Sequence, residues 1–263
     1  MLTVGAIANA LSGGAPVLML HRVLEQYDPN NYYYQRGTAI SWQRFNTCLL
    51  WAVECREQGL PGPVFSFDDG YADNEPAIKA LLSAGLPVVL FPVRDFVLTG
   101  FSPIDDMAAR LNQSELELSA KLRASLIGGK LKACLAKLNA DQYRAYRQRW
   151  FAIDEDASSA AFLSELQLRE LVSMGLQLGV HGVSHRIWTE ISPADLHAEI
   201  QGSLEWLSSL GCKHPFGLCM PHGKINVDVY QALSAYSLPL FGVDQDYPFA
   251  VLRRRWLKEQ TEL

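Results

Sequence analysis

Short apolar runs and longer amphipathic stretches alternate along this chain. Val17–Leu20, Val64–Phe67, Pro87–Pro92, Leu176–Val180, Phe216–Met220 and Leu238–Val243 are the apolar runs, each read as a strand, and Ala250–Trp256 completes the set. Between them, apolar residues return at helical spacing behind residues suited to start a helix. Ser41 precedes Phe45, Leu49, Ala52 and Val53; Asn74 and Pro76 open a helix that Gly85 stops; and Ser164 precedes Leu168, Leu171 and Val172. Ser192-Pro193 leads into Leu196, Ile200, Leu204 and Leu207, and Asn226 caps a helix to about Tyr236. Strands that alternate with helices imply a parallel sheet, an α/β fold that at this length can close into a barrel.

The alternation lapses between about residues 102 and 160, where Leu, Ala, Lys, Arg and Glu dominate and no strand is evident. This stretch is read as a helical insertion of about three helices within a single domain spanning residues 1–263. Composition narrows the partners. A net charge of -5 with Arg253-Arg254-Arg255 as the one basic run argues against nucleic acid, which needs clustered cations. Five cysteines without a close Cys-x-x-Cys pair indicate reduced thiols rather than a disulfide framework or a zinc ribbon. The apolar part of Met1–Leu20 has no preceding Lys or Arg and is interrupted at Ser12-Gly13-Gly14, so neither a signal peptide nor a transmembrane helix is expected. The expected compartment is the cytoplasm, although a chain trimmed at its N-terminus would read the same.

Candidate chemistry collects at strand ends. Asp68 and Asp69 follow Phe65-Ser66-Phe67 and precede Gly70, where the strand leaves the core. Two adjacent carboxylates repel, and a cation that holds one leaves the other free to move protons. Asp-Gly also suits a plain solvated turn, so the pair decides nothing alone. His181 and His185 lie four residues apart at the end of another run, and with one carboxylate they form a His-His-Asp set with open positions. His222 ends a third run. In a parallel barrel these ends share one face.

Phe67-Asp68-Asp69-Gly70-Tyr71 resembles the first motif of the metal-dependent polysaccharide deacetylases, the nodulation-deacetylase homology family of carbohydrate esterases. His181-Gly182-Val183-Ser184-His185 is similar to their second motif, Met220-Pro221-His222-Gly223-Lys224 to the Tyr-Pro-Tyr-Gly of their third, and Leu20-His21-Arg22-Val23 to the Tyr-His-x-Val that ends the first strand in one branch. The resemblance spans about residues 17–93 and 176–256 and implies a distorted (β/α)7 barrel holding Zn2+ or another divalent transition metal. Carried over by position, Asp69, His181 and His185 are the ligands and Asp68 the general base. A backbone N–H of the third-motif loop would serve the developing oxyanion. The family's closing Leu-x-His is missing, because the last histidine is His222. The general acid is therefore open, with His222 or a water at the ion as candidates, and Arg254 falls where some branches carry a Pro-Arg element that orients substrate or the base.

Tyr71, Trp188 and Tyr247 are candidates for stacking on a sugar, with core packing as the alternative for each; Pro221 and Arg254 complete the substrate-binding expectation. The function expected is hydrolysis of an N-acetyl or other N-acyl group from a sugar, on a lipid- or nucleotide-linked glycan precursor for a surface polysaccharide. Two alternatives stay open: an impaired relative that binds glycan or a protein partner, and an amide hydrolase acting on a cyclic imide or a formyl group.

Overall fold

A computed structural model of the chain describes residues 7, 10–99, 119–130, 142 and 161–260. The strands form where the apolar runs lie. In chain order they are β1 (Val17–Leu20), β2 (Arg22–Leu24), β3 (Ala39–Ser41), β4 (Val64–Asp69), β5 (Val88–Pro92), β6 (Gln177–Leu178), β7 (Leu218–Cys219), β8 (Leu240–Phe241) and β9 (Arg255–Trp256). The α-helices are α1 (Tyr32–Gln35), α2 (Trp42–Glu57), α3 (Asn74–Ser83), α4 (Arg94–Thr99), α5 (Ala120–Ile127), α6 (Glu165–Ser173), α7 (Pro193–Ser209) and α8 (Val227–Ser234). The expected starts recur as caps. Ser41, Ser192 and Asn226 each accept a backbone N–H of the first turn, and Ser164 forms a full capping box with Gln167.

β6, β5, β4, β1 and β9 make a parallel sheet in that order. Its pairing continues past β6 through a parallel bridge from Val180 to Leu218, crosses the β7–β8 pair, and returns from Phe241 to Leu252, three residues before β9. The five-stranded sheet and the β7–β8 pair are thus linked on both sides by single parallel bridges, an arrangement consistent with the expected distorted barrel; β2 and β3 form a separate parallel pair.

Alternate residues of the strands serve two cores. Leu18, Leu20, Phe65, Phe67, Val88 and Leu90 join the cluster shared with the helices, whereas Val17, Val64, Val89, Phe91, Cys219 and Phe241 join a second cluster on the opposite strand face. Two glycines admit the large rings of this second cluster. A Cβ at Gly179 would lie 2.2 Å from the Phe91 ring, and one at Gly217 would lie 2.5 Å from the Phe241 ring. Leu176–Val180, expected as one strand, pairs with β5 over Gln177–Leu178, and its backbone pairing continues as Gly179 N donates to the Leu90 carbonyl at 2.9 Å and Val180 bridges to Leu218.

Of the expected insertion, residues 119–130 and 142 fall among those described, and α5 is the helix seen there. Arg36 Nη1 donates to the Ile127 carbonyl at 2.7 Å, tying the end of α5 to the loop after α1. The other expected helices of the insertion lie outside the described residues. Among the described residues, no helix is long and apolar enough to cross a membrane, and the four described cysteines are free.

Candidate active site

The strand ends bring the sequence candidates to one rim. Asp68 and Asp69 close β4, His181 follows β6, Pro221–Gly223 forms a 3-10 turn after β7, and Arg254 immediately precedes β9. Asp69, His185 and His222 have φ values of 70°, 60° and 58°, left-handed conformations that cost non-glycine residues energy and recur at functional sites. Gly70, at φ 92°, completes the sharp exit from β4.

Asp69 Oδ1 lies 3.6 Å from His181 Nε2 and 3.4 Å from His185 Nε2. It is buried and has no hydrogen-bond partner, an expensive arrangement for a carboxylate oxygen unless a cation completes it. His181 Nδ1 is bonded to the Cys219 carbonyl at 2.9 Å, which orients the ring and turns Nε2 toward Asp69. One atom each from Asp69, His181 and His185 lies within 4.8 Å of the others, a donor set suited to a zinc-type ion. Asp68, His181 and Cys219 also meet that distance criterion. That set is the poorer host, because both Asp68 oxygens are already held by a cation.

That cation is Arg254. Its Nη1 and Nη2 donate to Asp68 Oδ1 and Oδ2 at 2.6 and 2.8 Å, its Nε donates to the Gly242 carbonyl at 2.7 Å, and its Nη2 reaches Cys219 Sγ at 3.1 Å. Burial pushes the Asp68 carboxyl up, but the Arg254 charge and hydrogen bonds pull it down further, with His181 and His21 adding, to about 2. Asp68 is therefore ionised at neutral pH. Burial also works against charging His181, and the acidic groups of Cys219, Asp69 and Asp68 outweigh it to hold this imidazole well above its usual range.

Several expected substrate contacts are buried or already engaged. Arg254 is completely buried and its guanidinium is engaged by Asp68, so of its two expected roles the geometry supports holding the base. Tyr71 and Trp188 are 2% and 1% exposed, which leaves neither a face for a sugar. Tyr71 stacks on Phe162 and lies under the Arg22 guanidinium, while Trp188 belongs to the main core. Tyr247 spends its hydroxyl on Val243 N and the Gly223 carbonyl. Pro221 is buried at the start of the third-motif turn, and the His222 ring lies 4.7 Å from that of His185.

Asp73 takes two hydrogen bonds from Arg22, at 2.8 and 2.6 Å, and one from Val23 N. One buried acid was not legible as part of the site. Glu199, buried at 6% exposure, accepts hydrogen bonds from the residues between His181 and His185. Its sequence signal is an acid at apolar-face spacing, between Leu196 and Ser203 on α7 and beside Ile200.

Fold and site together define an α/β protein with a parallel sheet, an Asp-His-His group that could hold a metal ion, and an Arg-held carboxylate at the strand ends. The polysaccharide deacetylase family model matches residues 131–241, which includes both histidine motifs and lies beyond the Asp pair. Similar solved structures include a deacetylase, PplD, from Streptococcus pyogenes, solved with acetate, at 14% identity and TM-score 0.59 over 94% of this chain and 93% of that one. A polysaccharide deacetylase from Bacillus cereus, BC0361, has the same identity and TM-score over 94% of this chain and 66% of that one. A de-N-acetylase from Aggregatibacter actinomycetemcomitans matches at 16% identity and TM-score 0.51, covering 95% and 97% of the two chains. No curated protein sequence matches. The chain shares the fold of these deacetylases, and its residues 131–241 match the polysaccharide deacetylase family model.

Proposed function

We propose that the protein is a metal-dependent hydrolase that removes the N-acetyl group from a sugar. The observation that carries this reading is the buried, unbonded Asp69 oxygen facing two imidazole nitrogens beside an ionised Asp68. The family match and the fold of the deacetylases support it. Asp69, His181 and His185 would hold the ion, zinc being the best fit to one carboxylate and two imidazoles. Such an ion, when bound, polarises an amide carbonyl and makes a water easier to deprotonate.

The protein's own groups supply the rest. Asp68 takes a proton from the attacking water, and Arg254 holds its carboxylate in place through two hydrogen bonds. A backbone N–H of the Pro221–Gly223 turn donates to the developing oxyanion. His222, next to His185, returns a proton to the leaving amine. His21 is the competing donor, since it lies close enough to Asp68 to lower its pKa and is held by stacking on Trp256 at 5.4 Å. If His222 is the acid, His222→Ala lowers kcat and removes the alkaline limb of the pH-rate profile; if His21→Ala does so while His222→Ala leaves the profile intact, the role passes to His21.

Acetate release from N-acetylglucosamine oligomers, measured with and without a chelator, tests the activity. Release that stops on chelation, returns with zinc and falls at least about 10²-fold in Asp68→Asn supports the reading. Zinc binding without release from any acylated sugar favours a second reading, a glycan binder that has lost turnover. Two observations motivate that second reading: the missing Leu-x-His and the weak basicity of an Asp68 held at about 2.

A further inference from the structure

The segment between the two histidines has no regular secondary structure, yet its backbone is engaged on both sides. Its carbonyls face the start of α4: Asp95 N donates to the Val183 carbonyl at 2.9 Å, and Arg94 N reaches the Gly182 carbonyl at 3.5 Å. Its N–H groups face α7. Val183 N and Ser184 N both donate to Glu199 Oε2, at 2.8 and 2.9 Å, and the Ser184 hydroxyl donates to Glu199 Oε1. One buried carboxylate thus takes three hydrogen bonds from two consecutive residues of the loop.

Gly182 shows how closely the carboxylate is seated. Its φ is 85°, and a Cβ there would stand 2.8 Å from Glu199 Oε2. The next residue but one after Ser184's neighbour Val183 is His185, itself held at φ 60°. A left-handed non-glycine residue persists where its surroundings over-determine it, and the bonds to Glu199 supply that constraint directly beside it.

We propose that Glu199 is a positioning residue for the ion site: it holds the His181–His185 loop in ligating form before any ion is bound. Glu199 is outside the Asp69, His181 and His185 group, and it acts through the backbone that carries the two imidazoles. The inference rests on the metal-site reading given under the proposed function.

Cobalt(II) titration of the full chain, followed by visible absorption, tests it alongside melting of the metal-free protein. Glu199→Ala is expected to weaken cobalt binding about 10- to 100-fold, the range for lost partners behind metal ligands. Glu199→Gln keeps an oxygen for Val183 N and Ser184 N, and its affinity is expected to stay within about threefold of the unaltered chain. Amide exchange at Val183 and Ser184 is expected to speed up in Glu199→Ala alone. If Glu199→Ala fails to fold, Ser184→Ala, which removes one of the three bonds, takes its place and is expected to weaken cobalt several-fold. Unaltered cobalt affinity and spectrum in a folded Glu199→Ala, or in Ser184→Ala should that stand in, would overturn the inference while leaving the metal reading intact. Failure of the unaltered chain to bind cobalt would instead overturn the metal reading and this inference with it.

Discussion

Arg254 shows how much of this site depends on one side chain. Its fork matches the Asp68 carboxylate and is buried with it, so neither charge has water as an alternative partner. Arg254→Met would leave Asp68 buried and unpaired, at an expected cost of about 3–5 kcal/mol in urea unfolding. Arg254→Lys retains the charge without the bidentate geometry and is expected to keep part of the stability while losing activity. The sign of the pH effect follows from the depressed Asp68 pKa: the pair stabilises the fold fully above the unfolded carboxylate value, near 4, and loses that contribution as pH falls through about 2. Acid unfolding midpoints of the unaltered chain and Arg254→Met are the check, with a weaker dependence across that window expected for the variant.

Among the elements, β6 and β7 carry the largest departure from simple periodicity. An apolar run predicts a regular strand at Leu176–Val180, but Gly179 and Gly217 let the Phe91 and Phe241 rings in where a side chain would stand. Gly179→Ala is expected to cost about 1–3 kcal/mol, because its Cβ would meet a ring fixed in the core; the denaturation midpoint measures this, with little change expected in the slope. Helix α7 carries a second departure. Its stripe of Leu196, Ile200 and Leu207 is that of an ordinary packing helix, and the carboxylate within that stripe serves the neighbouring loop instead of the core. Periodicity reports which face is buried; it does not report which backbone groups await it there.

At the scale of the whole molecule, β4, β6, β7 and β9 place residues from Asp68 to Arg254 around one point. A ligand that binds only this assembled arrangement stabilises the fold by mass action, by about 2.7 kcal/mol at a hundred times its Kd. Zinc at that concentration is expected to raise Tm by about 5–10 °C in scanning calorimetry, given the usual shift for a domain of this size. Asp69→Ala and His181→Ala are expected to abolish the rise.

The strand-helix order and the caps at Ser41, Ser164, Ser192 and Asn226 were readable from the chain alone, because apolar runs and side chains that can cap their own helix encode them. That His181 and His185 would share one group with a carboxylate followed from their spacing, while the choice of Asp69 came from the resemblance of its motif, and the structure brings the three within 4.8 Å. Only the tertiary structure decided what Arg254, Tyr71, Trp188, Asp73 and Glu199 do. Their roles depend on partners distant in sequence, and in three dimensions Arg254 reaches Asp68, Asp73 reaches Arg22 and the two aromatic rings are sealed in the core. A guanidinium or carboxylate looks the same in a sequence whether it meets solvent or a buried counter-charge, and burial is a property of the folded chain as a whole.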